Sequence, residues 1–535
     1  MKLTRSSSCG SMLVGLAIAL AFTCFVPQVI AAELYQTIDH QIAKQAGGPV
    51  AGPADDAEFL RRIFIDLTGK LPTPAKAREF LADNDKSKRQ ALIDELLASD
   101  DFPRRMQEAF TAMLLERRTD TKVPDADWER YLRESFAKNK PWNQLVSELL
   151  FVDENEENLL PATKFFLVAG RNDENLRTED VSRLFLGRDI TCSQCHDHPD
   201  VADYSQDEYF GLFTYLKEKP AEATIEYESV FRPGTHTTGP RLPGGEELKI
   251  PTFVKDQQEN AAKYRPRLLL SRNLPTADNK LFVRNSVNRF WFLMMGRGLV
   301  HPLNLHHEDN PPSHPILLDA LATEFVAHNF DVKWLLRQIA LSESYQRSSL
   351  LPEGVELKEA PPQLYRMAIL KPLTPEQMGW CVAGASGNLA WLLKTPVPKD
   401  SEFSHFNYIN GRVDQFPENF PDVMKLFVGV YSNPPGEAEV DFTPSMGHAL
   451  FLMNDQGVLD WLKPKSGNLV ERLSKLKDSA AVADELYLSA LTRTPTEEES
   501  DEVAEYLTQH AERRTEACGE LVWALISSAE FRMNH

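Results

Sequence analysis

Phe59, Leu60, Ile63, Phe64 and Leu67 recur at helical spacing in the stretch FLRRIFIDLTG, and Gly69 follows them. The spacing gathers these apolar side chains on one side of an α-helix, and the glycine supplies its stop. The same pattern repeats along the chain. Thr73-Pro74 predicts a helix start, with Thr73 as cap and Pro74 in the first helical position. ALIDELLAS predicts another helix, and amphipathic segments continue to about Leu150. Further on, KLFVRNSVNRFWFLMM predicts a strongly apolar helix. PPSHPILLDALATEFVAHNFDVKWLLRQIALSESYQ predicts two helices broken at Asn329-Phe330, with Ser313 able to cap the first. Thr374-Pro375-Glu376-Gln377 has the residues of a capping box. A mainly α fold is therefore expected.

Strand-like alternation is concentrated between Ala223 and Phe253, in ATIEYESVF and EELKIPTF, among Pro233-Gly234, Gly239-Pro240 and Pro243-Gly244-Gly245. This predicts a small β-rich excursion and not a sheet domain. The expected organisation is two helical domains, residues 33–218 and 264–535, with a Pro/Gly-rich β insert or linker at 219–263. IFIDLTGKLPTPAKAREFL near the start is echoed by YLSALTRTPTEEESDEVAEYL near the end. Shared helix–turn–helix chemistry and duplication both account for that echo.

Lys2 and Arg5 precede an apolar run from Met12 to about Val26, and Ala31-Ala32 follow it. This is the pattern of a cleaved signal peptide covering residues 1–32, and the run is short for a spanning helix. The expected compartment is the periplasm or the cell surface, with no transmembrane span after cleavage. The chain has 58 basic and 78 acidic side chains, a net charge of −20. A surface of that sign repels phosphate backbones, so nucleic acid is not an expected partner. After residue 32 the cysteines are Cys192, Cys195, Cys381 and Cys518. Four are too few to build a scaffold from disulfides, and thiols in an oxidising compartment call for a reason. Cys381 and Cys518 are candidates for one long-range disulfide, or for two buried thiols.

The stretch TCSQCHDHPD, Thr191 to Asp200, carries the strongest chemical signal. Cys-x-x-Cys-His is the spacing at which two thiols attach a haem and the next histidine binds its iron. Cys192, Cys195 and His196 would be the trio. A second reading is zinc, held by Cys192, Cys195 and His198 with a remote fourth ligand such as His314. Structural zinc sites usually draw two ligand pairs from separate segments, whereas these candidates are crowded into seven residues. A third reading is an inert disulfide or reduced pair. Ser205-Gln206-Asp207-Glu208 predicts a capped helix after the motif, and its Tyr209, Phe210 and Phe213 could wall a porphyrin or simply pack a core. His301, His306, His307 and His314 cluster between two second-half helices. His314 is the first choice to close the far side of a haem, and His306-His307-Glu308-Asp309 reads as a polar loop. No Gly-x-Ser-x-Gly, phosphate-binding Gly-rich loop or His-Glu-x-x-His occurs, so whether the chain is an enzyme stays open.

RRIFIDLTGKLPTP and FLGRDITCSQCHDHPDVADYSQDEYFGLFTY resemble domain-of-unknown-function family 1549. NKLFVRNSVNRFWFLMMGRGLVHP, the PPSHP stretch and ELYLSALTRTPTEEE resemble its usual companion, family 1553. The resemblance implies an exported, mostly helical, two-part protein of the kind planctomycetes secrete, often together with a separate cytochrome c domain. It implies no known reaction. Residues 33–55 are too few to hold a cytochrome domain, so any haem is expected at CSQCH itself. The reading carried forward is a covalent haem c serving electron transfer or redox sensing with an unknown redox or envelope partner. The alternatives are a haem-free envelope or surface binding protein and a metal-dependent hydrolase.

Overall fold

The computed structural model describes residues 33–535 apart from 121, 154, 169–170, 172, 218–223, 249–264, 396–418, 439–450, 454–455 and 466. The expected signal segment and most of EELKIPTF lie outside the described residues. Within them the chain is mainly α, with two small antiparallel two-stranded sheets. No helix there is long and apolar enough to cross a membrane.

The local rules hold at most of the marked positions. Helix Asp56–Thr68 is capped by Asp55, whose side chain accepts from the Glu58 amide at 2.8 Å, and it ends at Gly69 with φ 68°. Thr73, Thr374 and Thr496 each cap a helix, the last two through complete capping boxes. The break at Asn329-Phe330 consists of two left-handed residues, φ 53° and 56°. Ser313 departs from expectation. The cap position of helix Pro315–Ala327 is His314, and the Ser313 hydroxyl lies 3.1 Å from His314 Nδ1. Pro315 at the first helical position brings no N–H to be capped.

The opening helix carries more than an apolar face. Arg61, Arg62 and Asp66 are buried with it. Arg61 donates to the Ala490 and Phe531 carbonyls at 3.1 and 2.8 Å. Arg62 donates to those of Tyr345 and Arg347 at 2.6 and 2.8 Å. Asp66 accepts from Lys371 Nζ at 2.5 Å, and from Asn534 and the Tyr345 hydroxyl at 2.8 Å each. Buried charge is tolerable only when hydrogen-bonded in this way. These bonds tie the start of the chain to its second half, where β3 (Lys371–Pro372) pairs with β4 (Met533–Asn534); β1 (Ile225–Glu228) and β2 (Thr235–Thr238) form the other sheet.

The interior holds two apolar cores. One takes its residues from Leu34 to Tyr365 together with Leu488, and a second from Leu373 to Phe531 together with Ile65. Leu34–His535 forms one compact unit. The cause is helix Lys280–Met295, which is apolar on several sides and must be covered on each. Its Phe290 ring meets Phe110 at 5.5 Å and Trp142 at 5.4 Å, both from the first half. Cys381 and Cys518 are separate free thiols buried in the second core, so no disulfide joins them. Burial raises the pKa of both, that of Cys381 to about 12.

Candidate functional site

Residues 191–194 form one 3-10 turn. Asp189 starts it, its Oδ1 accepting from the Thr191 amide at 3.2 Å and the Thr191 hydroxyl at 2.7 Å. Side chains three apart eclipse in such a turn. Cys192 and Cys195 are therefore both exposed, and both are free thiols. Ser193 between them points inward, fully buried, and donates to the Tyr204 carbonyl at 3.0 Å. No disulfide closes the pair.

His196 follows with one nitrogen committed. Its Nδ1 lies 2.8 Å from the Asp197 carbonyl. A carbonyl only accepts, so Nδ1 carries the proton and a neutral ring presents the Nε2 lone pair. His198 is wired the opposite way. Its Nδ1 accepts from the Asp200 and Val201 amides at 3.2 and 3.0 Å, which leaves the proton on Nε2. His198 is thus poorly prepared to bind zinc. His314 does not supply the fourth ligand, because its ring is buried against Tyr365, with centroids 5.6 Å apart. Burial lowers the His314 pKa to about 4. Among the described residues no group of three or more His, Cys, Asp or Glu is placed to hold a metal. The arrangement suits His196 as a lone protein ligand, with His198 as a loop acceptor.

The expected aromatic wall is somewhere else. Helix Gln206–Leu216 does start at Ser205, which accepts from the Glu208 amide at 3.4 Å. Glu208 leaves the reciprocal half of the capping box unmade. It takes Arg188 Nη1 at 2.8 Å and the Gly244 amide at 2.8 Å, a stronger charge-assisted choice. Tyr209 is fully buried and donates to Asn175 Oδ1 at 2.8 Å. Phe210 stacks on Tyr227 at 4.4 Å, and Phe213 packs against the first core. These rings form the floor beneath the loop and not a slot beside it. The apolar surface next to the motif comes from the turn between β1 and β2. Val230 and Phe231 are each 70% exposed, and the Phe231 ring lies 4.9 Å from His196. The Val230 amide donates to the Cys195 carbonyl at 3.2 Å, and Arg232 pairs with Asp197 at 3.3 Å. The insert is a support of the motif. Its sequence showed strand-like alternation but neither the pairing of Ile225–Glu228 with Thr235–Thr238 nor which surface it would meet.

A short ribbon fixes the loop from the other side. The Asp189 amide donates to the Asn304 carbonyl at 2.9 Å, and the His306 amide to that of Gly187 at 2.9 Å. His306 is buried, so this stretch is not simply a polar loop, and the His307 ring meets Tyr204 at 5.5 Å. The Tyr204 hydroxyl and His307 Nδ1 are both buried without hydrogen-bond partners. His307, not His314, is the second-half histidine whose ring meets Tyr204. Gly187 is the hinge point of the ribbon. It sits at φ 70°, and a Cβ there would lie 2.6 Å from His306 Cδ2 and 2.7 Å from Asn285 Oδ1. Gly187→Ala should cost about 2–4 kcal/mol from left-handed strain plus overpacking. Denaturant unfolding checks this, and an unchanged midpoint would show the ribbon to be slack.

Two families match the chain. The one described as Protein of unknown function (DUF1549) matches residues 35–220, and the one described as Protein of unknown function (DUF1553) matches residues 266–507. No curated protein and no solved structure matches it.

Proposed function

For a chain whose first half belongs to the DUF1549 family and whose second half belongs to the DUF1553 family, we propose that CSQCH is the attachment point of a c-type haem. The protein is read as an exported electron-transfer or redox-sensing component, working with a protein partner at the periplasm or cell surface. The observation that carries this reading is the shared outward face of Cys192 and Cys195, followed by a His196 whose Nε2 lone pair is available. Attachment adds each S–H across one haem vinyl group, forming two thioethers with no atom lost. When bound, the haem supplies a one-electron iron couple.

The chain's own residues do the rest. The Asp189-started turn holds both sulfurs on one side. The Asp197 carbonyl fixes the His196 tautomer and ring direction, as a partner on the far nitrogen of a ligating histidine does. Val230 and Phe231 offer apolar surface that a porphyrin edge would remove from water. The same exposed pair favours the second reading, a haem-free surface that docks an envelope partner.

The test uses the full chain expressed in a strain able to attach haem. The unaltered protein should carry haem stain through a denaturing gel, and Cys192→Ala with Cys195→Ala should abolish it. His196→Ala should keep some stain while changing the visible spectrum, because thioether and iron ligation are separate bonds. No stain in the unaltered protein rejects attachment and leaves the docking surface.

A further inference from the structure

Helix Asp101–Leu115 carries Arg105 into the interior, where it is only 3% exposed. Neither its Nε nor its Nη1 has a hydrogen-bond partner. A guanidinium stays charged in a protein, so an unmet one at this depth is costly. Three carboxylates lie in its electrostatic neighbourhood: Glu108, Glu376 and Asp66. Each is already held by another cation. Arg104 pairs with Glu108 at 2.8 Å, Arg117 with Glu376 at 2.5 Å, and Lys371 with Asp66 at 2.5 Å. Glu108 Oε2 also lacks a partner, but its carboxylate is bound through Oε1 to Arg104 and the Trp380 indole. Arg105 is the cation left over.

Arg105 also lines two cavities. One is a cleft of about 360 Å³ whose walls include Asp66, Phe292, Arg297, Ile369, Lys371 and Thr374. The other, of about 120 Å³, is walled by Phe110, Glu116, Arg183 and Arg289 among others. Arg105 belongs to the DUF1549 half, and most of the larger cleft's wall to the DUF1553 half. No residue of the CSQCH loop lines either cavity. The larger cleft has the size of a small-molecule site. A second buried donor without a partner, Arg297 Nε, belongs to its wall.

We propose that this cleft is a binding site for a small organic carboxylate, held by the Arg105 guanidinium with its apolar body against Phe292, Leu293 and Ile369. The guanidinium fork matches a carboxylate in two parallel hydrogen bonds. An apolar body is favoured over a bare anion because Leu293, Ile369, Pro372 and Leu373 besides Phe292 line the cleft. The site is independent of whether a haem is attached at CSQCH.

The experiment is calorimetric titration and thermal unfolding of the purified full-length protein with three probes: benzoate, the neutral isostere benzamide, and inorganic phosphate. Benzoate should bind and raise the melting temperature. Benzamide should bind at least about tenfold more weakly, since it lacks the charge that the fork selects. Arg105→Gln should weaken benzoate by about tenfold or more and abolish its thermal shift. Equal binding of benzoate and benzamide, or benzoate binding unchanged in the variant, overturns the role of Arg105. Phosphate binding tighter than benzoate overturns the organic-carboxylate class, and no benzoate binding overturns the site. If Arg105→Gln fails to fold, the benzoate–benzamide contrast on the unaltered chain decides alone.

Discussion

Replacing Asp180 with alanine should cost about 3–5 kcal/mol of stability, the usual penalty for breaking a buried ion pair from one side. Asp180 is 3% exposed and holds three guanidinium groups. Arg171 Nε reaches its Oδ2 at 2.5 Å and Arg183 Nη2 its Oδ1 at 2.5 Å, while Arg118 also donates to Oδ2. Glu116 is the other carboxylate in the group, bound to Arg183 at 2.9 Å and paired with Arg118 at 3.5 Å. Without Asp180, Arg171 keeps only the Phe165 and Leu114 carbonyls, at 2.8 and 2.7 Å. A buried cation would then lack a directly bonded anion, with Glu116 left as its nearby carboxylate. Burial alone would raise the Asp180 pKa, but Arg171 and Arg183 outweigh it and hold the pKa at about 2. A depressed carboxylate stabilises the fold above its unfolded value near 4 and loses that contribution as pH falls towards 2. The shift corresponds to about 2 kcal/mol across that window. Denaturant unfolding of Asp180→Ala against the unaltered chain at neutral pH is the measurement. A loss under about 1 kcal/mol would mean the arginines re-pair with Glu116.

The second large effect is acid lability from His306. Burial, with Arg289 and Arg188 adding to it, lowers its pKa to about 3. In the unfolded chain the ring takes a proton near pH 6.5, and in the folded chain only near pH 3. Between those values the unfolded state binds more protons, so stability falls as pH falls. From about pH 7 to about pH 4 the expected loss from this ring alone is about 3 kcal/mol. His314 acts in the same direction, its pKa lowered to about 4 by burial. His306→Gln should remove the His306 share and flatten the pH profile, whatever the substitution costs at neutral pH. Equal slopes for the two proteins would show that the ring is wet. Because the His306 amide holds the Gly187 carbonyl, this acid response acts on the ribbon that seats the CSQCH turn.

Much of the fold was legible because it is local. Helix starts at Thr73, Thr374 and Thr496, and stops at Gly69 and Asn329-Phe330, depend on residues within one turn. The side-by-side exposure of Cys192 and Cys195 is also local, fixed by an interval of three residues in a tight turn. What surrounds that turn was not legible. Val230-Phe231 and His307 come from 35 or more residues away in the chain, and nothing in their own sequences marks them as its neighbours. His314 looked the better candidate by motif, yet Tyr365 covers it.

By itself the sequence determined a mainly helical chain in two family halves, with a small β-rich insert between them and a Cys-x-x-Cys-His motif ahead of a capped helix. Tertiary structure alone decided where the interior divides, which carboxylate answers which arginine, and which cation has no answer. Helix patterns and caps are short-range and readable in order, whereas each arginine has the same sequence signature whether it ends paired, as Arg171 does with Asp180 at 2.5 Å, or unmet, as Arg105 does. Charge pairing is a long-range choice among many side chains, and only the packed chain makes it.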